Sequence, residues 1–245
     1  MDNIVYGGRT FYGYDIGILM LDSQFPRIVG DVGNAKTWKY PVLYKVVEGF
    51  KPDKVVLNLE MNDIEPFIEA ALELQNMGVK AITTSCGFLA MFQKEIVKYL
   101  SIPVFTSTLV MLPMLCRITG KVLVLSANSE KLTYKHLEAA CGDLAPYQYK
   151  IIGTQNKNSF TNFTVENWKS VDTNQCEKDI LETLHEELDK DNSYKCILLE
   201  CTNLPPYTDA IRNEFQLPVF DIISLTDFVY SSVKINSFGD ERRTI

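Results

Sequence analysis

The chain has 245 residues, 46% of them hydrophobic, enough to bury a large core as one or two globular domains. Its formal net charge is -7, with no block of Lys or Arg, which argues against a nucleic-acid surface or an anionic membrane surface as partner. No apolar run is long and unbroken enough to span a bilayer, and MDNIVYGGRT lacks the apolar core of a signal peptide, so the expected location is cytoplasmic and the six cysteines are expected as free thiols.

In chain order, DIGILML (15–21) reads as a buried strand and KVVLNLE (54–60) as another. EPFIEAALELQNMG (65–78) spaces Phe67, Ala70, Ala71 and Leu74 as one helical face, with Pro66 near its start and Gly78 just past its end. VKAITT (79–84) is a β-branched run of strand length, and GFLAMFQKEIVKYL (87–100) reads as a helix. KVLVLSA (121–127) is a strand, followed by a helix through EKLTYKHLEAA. TNQCEKDILETLHEELDK (173–190) is a long acidic helix, and KCILLE (195–200) returns to strand. Short apolar strands alternating with amphipathic helices predict an α/β fold with mainly parallel sheets.

The chain also repeats itself. Pro-Val-Phe occurs at 103–105 and again at 218–220, each time 17 residues beyond a cysteine, Cys86 and Cys201. Lys80 and Ile82 match Lys195 and Ile197 under the same shift of 115 residues. Each copy reads strand, Cys, helix, turn, strand, as a duplicated pair of α/β units whose two strand-to-helix junctions meet about a pseudo-twofold axis. Ligands of parallel α/β sheets bind at such junctions, outside the carboxyl ends of the strands, where unpaired N–H groups face the crevice. A thiol there is expected to have a lowered pKa, with Thr83, Thr84, Ser85, Thr202 and Asn203 supplying further donors. Two such ends facing each other suit a small carboxylate held between two thiols.

The remaining cysteines, Cys116, Cys141, Cys176 and Cys196, read as small buried hydrophobes. No metal site is expected, since Cys196-x4-Cys201 is not a zinc-knuckle spacing. His136 and His185 lie in polar helical stretches and read as solvated surface residues, which leaves no partner for a Cys-His hydrolase. Phe92 and Tyr207 stand where a Cys-x5-Arg phosphatase loop needs arginine, and the glycines of GDVGN (30–34) mark a turn.

On these residues the whole chain resembles the aspartate/glutamate/hydantoin racemase superfamily, cofactor-independent enzymes of two pseudosymmetric, Rossmann-like α/β domains with one cysteine from each. The family's Cys-Asn-Thr pattern is answered by Cys86-Gly87-Phe88, its Cys-Thr pattern by Cys201-Thr202, its first strand end by Asp22-Ser23, and the hydroxyl-bearing turn of its other domain by Ser126-Ala127-Asn128-Ser129. The resemblance implies a first domain of residues 1–113 plus 218–245, a second of residues 114–217, and an active site in the cleft between them. It implies an isomerase without cofactor, a racemase or epimerase of an amino acid or derivative. Cys86 and Cys201 would be the opposed acid and base. Asp22, Ser23, Ser85, Gly87, Phe88, Ser126, Asn128, Ser129, Thr202 and Asn203 would bind the substrate. Gly87, Phe88 and Asn203 depart from the pattern of amino-acid racemases, so maleate-isomerase-like or decarboxylase-like chemistry, or carboxylate binding without turnover, are the alternatives. Dimers are common among the proteins the chain resembles, so a homodimer is expected.

Overall fold

The computed structural model describes residues 7–144 and 147–234; residues 1–6 and 235–245, which the expected first domain includes, lie outside them. Eight described strands form two four-stranded sheets, parallel throughout. The first holds β1 (Ile16–Leu21), β2 (Val42–Val47), β3 (Ala81–Thr84) and β4 (Val104–Phe105) in the order β2-β1-β3-β4. The second holds β5 (Val122–Ser126), β6 (Tyr149–Gly153), β7 (Cys196–Leu199) and β8 (Val219–Phe220) in the order β6-β5-β7-β8. The helices are α1 (Pro52–Asn58), α2 (Glu65–Met77), α3 (Gln93–Ile96), α4 (Leu112–Thr119), α5 (Tyr134–Cys141), α6 (Asn158–Thr164), α7 (Thr173–Leu188), α8 (Thr208–Phe215) and α9 (Ile222–Val233).

The central strands β1, β5 and β7 are buried along their whole length, as strands covered on both faces must be. That is why each reads as an unbroken apolar run rather than an alternating one. The repeat is exact in the backbone: β3 begins at Ala81 and β7 at Cys196, β4 at Val104 and β8 at Val219, each pair 115 residues apart.

Two expectations are corrected, and one strand went unread in the sequence. The run at 54–60 is no strand: Pro52 starts α1 after an extended Lys51, and Val55 and Val56 turn inward together while Leu57 is 39% exposed. The place beside β1 belongs instead to Val42–Val47, a half-exposed edge strand whose Tyr44 and Lys45 break up the apolar pattern. The segment after Cys86 is not one amphipathic helix: Gly87–Phe92 winds as a 3-10 helix and only Gln93–Ile96 is α-helical. All six residues of that first stretch are buried, so there is no polar face for helical spacing to report.

The second sheet also keeps the chain as far as Phe220, through the pairs Ile197–Val219 and Leu198–Phe220, beyond the expected bound at 217. Only with α9 does the chain return to pack on β3. Two buried hydroxyls tie the halves together: Thr108 Oγ1 donates to the Leu199 carbonyl at 2.9 Å, and Thr202 Oγ1 donates to the Ser85 carbonyl at 2.6 Å. No helix among the described residues is long and apolar enough to cross a membrane.

Candidate active site

The two junctions are packed against each other. Gly87 sits so close to the neighbouring half that a β-carbon there would collide with the Glu200 carboxylate and the Glu200 backbone carbonyl. This contact explains the glycine at position 87. Between the junctions lies a narrow cavity of about 20 Å³, room for about one water molecule. Its lining joins Ser85, Cys86, Gly87 and Phe88 to Cys201, Thr202 and Asn203. Phe25, Arg27, Pro52, Val56, Thr164 and Val165 also line it. Next to these walls Gln24 grips Asn167: its N–H donates to Asn167 Oδ1 at 2.8 Å and its side-chain amide to the Asn167 carbonyl at 3.2 Å.

Both thiols are nearly enclosed, and burial sets their chemistry. Desolvation, then the nearby Glu200 charge, push Cys86 up to about 12, although the backbone N–H groups of Phe88 and Leu89 and the Arg27 guanidinium pull the other way. Cys201 is pushed well above its ordinary value by burial and by Glu200, opposed by the backbone N–H of Asn203. This corrects the expectation of a lowered thiol pKa: a few backbone dipoles do not offset the loss of water around the sulfur. Cys201 donates its S–H to Asn203 Oδ1 at 3.7 Å.

Asn203 is in turn fixed by Asp31, whose Oδ2 accepts from Asn203 Nδ2 at 2.6 Å. The other oxygen of this buried carboxylate accepts from Arg27 at 2.9 Å and from the Gly33 N–H at 2.7 Å. Arg27 also donates to Ser23 Oγ at 2.8 Å and lies 4.1 Å over the Phe25 ring. A chain Arg27–Asp31–Asn203–Cys201 thus runs from the 22–34 loop to the second thiol. Only its far end was readable in the sequence; the i,i+4 spacing of Arg27 and Asp31 around a glycine turn was the available signal for the rest.

Several expected ligands have other duties. Asp22 Oδ2 accepts from the Gly49 N–H and does not line the cavity. Asn128 caps its own turn by accepting from the Glu130 and Lys131 N–H groups, and Ser129 is held by Gln155. Ser126 donates to Glu200 at 2.8 Å, Ser85 Oγ accepts from the Leu21 N–H at 2.9 Å, and Thr202 spends its hydroxyl on the Ser85 carbonyl. Of these expected ligands only Ser85 and Thr202 line the cavity. His136, expected on the surface, is buried edge-on to Phe88 with ring centroids 5.4 Å apart. Desolvation lowers its pKa to about 4. His185 is exposed. All six cysteines are free, and no group of three or more metal-ligating side chains occurs among the described residues.

No family model matches the chain. Over 221 residues it is 33% identical to a dimethylsulfoniopropionate lyase of Durusdinium sp. clade D, covering 87% of this chain and 73% of that protein. Over 236 residues it is 32% identical to dimethylsulfoniopropionate lyase 7 of Emiliania huxleyi (strain CCMP1516), covering 91% and 69%. The chain belongs to the dimethylsulfoniopropionate lyase family. With lyase 3 of the same Emiliania huxleyi strain it shares 31% identity over 90% of its own length, spanning 60% of that protein.

The family relation overturns the expectation of an isomerase: the relatives that resemble this chain in sequence are lyases, not racemases. The expectation rested on short cysteine and strand-end motifs, and the fold they implied is shared with glutamate racemase and arylmalonate decarboxylase. Glutamate racemase from Bacillus anthracis aligns with a TM-score of 0.59 at 17% identity, covering 90% of this chain and 81% of that one. Unliganded arylmalonate decarboxylase aligns at 0.56 and 14% identity, covering 92% and 93%. At such identities the likeness is one of architecture, and one architecture hosts several reactions.

Proposed function

We propose that the protein is a carbon–sulfur lyase that cleaves a propionate carrying a dimethylsulfonio group at its β-carbon. The observation that carries this reading is the inequality of the two thiols, in a chain one-third identical to dimethylsulfoniopropionate lyases. Racemisation needs two thiols that exchange roles as acid and base, whereas elimination needs a single base. Cys86 has two backbone N–H groups and Arg27 favouring its thiolate; Cys201 has the one N–H of Asn203 and gives its own hydrogen to the Asn203 side chain.

In this mechanism the Arg27 guanidinium, with donors left over from Asp31 and Ser23, holds the substrate carboxylate. The sulfonium cation lies toward the Phe88 ring, since Arg27 already covers Phe25. A cation entering the cavity favours the ionised form of a nearby thiol, so the substrate itself supplies what burial withholds. Cys86 thiolate takes a proton from the carbon next to the carboxylate. The electrons of that C–H bond form the carbon–carbon double bond, the β-carbon–sulfur bond breaks, and sulfur leaves with its electron pair as neutral dimethyl sulfide. Acrylate remains, and the proton taken up by Cys86 is later released to water. A cavity of about 20 Å³ is too small for the substrate, so its walls part for entry, and the Gln24–Asn167 contact crosses where the 22–34 loop meets the segment after α6.

The test is direct. Purified protein incubated with dimethylsulfoniopropionate should release dimethyl sulfide and acrylate in equal amounts, followed by headspace gas chromatography and proton NMR. Exchange of the substrate's α-hydrogens in heavy water without dimethyl sulfide would sink the lyase reading.

A further inference from the structure

Glu200 precedes Cys201 and occupies the place that Ser85 holds in the first repeat. It is fully buried, and its carboxyl lies where a β-carbon on Gly87, the residue after Cys86, would have to go. One oxygen accepts from Ser126 Oγ at 2.8 Å; the other, Oε1, has no hydrogen-bond partner. The titratable and charged groups that share its surroundings are Cys86 from the first junction and Cys201 next in the chain, with Arg27 acting on Cys86 and Asp31 on Cys201 from the 22–34 loop. No lysine or arginine pairs with Glu200 among the described residues. A buried carboxylate so poorly compensated does not tolerate a second negative charge beside it.

We infer that Glu200 is a positioning residue that governs the charge of both thiols: while its carboxylate is ionised, Cys86 and Cys201 are held protonated. Burial raises Glu200 to about 7, so its charge changes in the neutral range. Below that pH the carboxyl is neutral and thiolate forms more easily with each unit of pH. Above it, every gain in thiolate is offset by the new carboxylate, and the thiolate population levels off. Ser126 stabilises the ionised carboxylate, so its loss moves the levelling to higher pH. The inference rests on the lyase reading only for calling Cys86 the base; the charge coupling itself needs no substrate.

The experiment follows alkylation of Cys86 by iodoacetamide against pH, read by peptide mass spectrometry, in wild type, E200Q and S126A. The rate reports thiolate, which is the nucleophile. In wild type it should climb about tenfold per pH unit up to about pH 7 and then flatten. E200Q should keep climbing through neutrality, reaching about tenfold or more above wild type one unit beyond the bend. S126A should flatten later than wild type, which keeps the inference testable if E200Q does not fold. A local packing defect would change the rate at every pH and leave the bend in place. A wild-type rate that climbs straight through neutrality, or an E200Q profile with the same bend, overturns the inference. Dimethyl sulfide release without the bend would overturn this inference alone; the bend without dimethyl sulfide would overturn the lyase reading alone.

Discussion

The two cysteine junctions share a backbone and differ in nearly everything attached to it. Under the shift of 115 residues, Ser85-Cys86-Gly87-Phe88 superposes in sequence on Glu200-Cys201-Thr202-Asn203. The first junction is hydrocarbon and bare backbone: a glycine without room for a side chain, then a buried phenylalanine. The second is a hydrogen-bonded polar cluster reaching Asp31 and Ser126. Duplication supplies two thiols at matching places, and the surroundings decide that they are not equivalent. A reaction run equally in both directions calls for like surroundings; an elimination does not.

The largest effects separate the thiols themselves. Cys86→Ala removes the proposed base and should lower kcat for dimethyl sulfide release by about 10²–10⁴-fold, the usual span for a positioned general base. Cys201→Ala removes a thiol that keeps its proton, and should cost clearly less than Cys86→Ala. Steady-state assays on both variants decide the matter. Equal losses would erase the asymmetry and return the two thiols to equivalent roles.

The next effect concerns the repeat-mates Gly87 and Thr202. One position forbids a side chain and the other uses one. Gly87→Ala drives a methyl group into the Glu200 carboxyl and carbonyl, and should cost about 2–3 kcal/mol of stability, as overpacking of a filled core does. Thr202→Ala loses the hydrogen bond to the Ser85 carbonyl and should cost about 1 kcal/mol. Urea unfolding of the two variants measures both; Gly87→Ala milder than Thr202→Ala would show that the junctions are not pressed together.

Sequence reading recovered the fold because burial on both faces writes itself plainly: IGILML, VLVLS and CILL are strands that cannot be mistaken for anything amphipathic. It failed at 42–47 and 54–60, where a half-exposed edge strand and a short proline-led helix carry similar amounts of apolar residue. In the site, the repeat pointed to Cys86 and Cys201 because a shared register is a one-dimensional signal. Arg27 and Asp31 gave no such signal. They reach the second thiol through a contact 172 residues apart in the chain, between Asn203 and Asp31, which only the folded loop creates. The expected hydroxyl ligands went astray for a related reason. A serine or threonine at a strand end satisfies backbone groups first, as Ser85 and Thr202 do. The assignment to racemases rested on short motifs around Cys86 and Cys201 that mark a fold, and one fold hosts several reactions.

The smallest effect is one of stability against pH, and it comes from the buried titratable neighbour that each residue after Cys86 meets: Glu200 against Gly87, His136 against Phe88. Folding lowers His136 from 6.5 to about 4, so between those values the unfolded chain carries a proton the folded one lacks, and stability rises with pH. Folding raises Glu200 from 4.5 to about 7, so across that window the folded chain holds the extra proton, and stability falls as pH rises. Each slope is about 1.4 kcal/mol per pH unit at most, and where the windows overlap the two oppose each other. Wild type should therefore show a flat stability profile over the overlap. In Glu200→Gln the His136 contribution is no longer opposed by Glu200, and stability should rise by about 3 kcal/mol from pH 4 to 6.5, measured by urea midpoints. In His136→Gln the remaining slope should have the opposite sign. Two profiles of the same sign would mean that one of these groups is not titrating inside the fold, and the junction that owns it would lose its distinguishing charge.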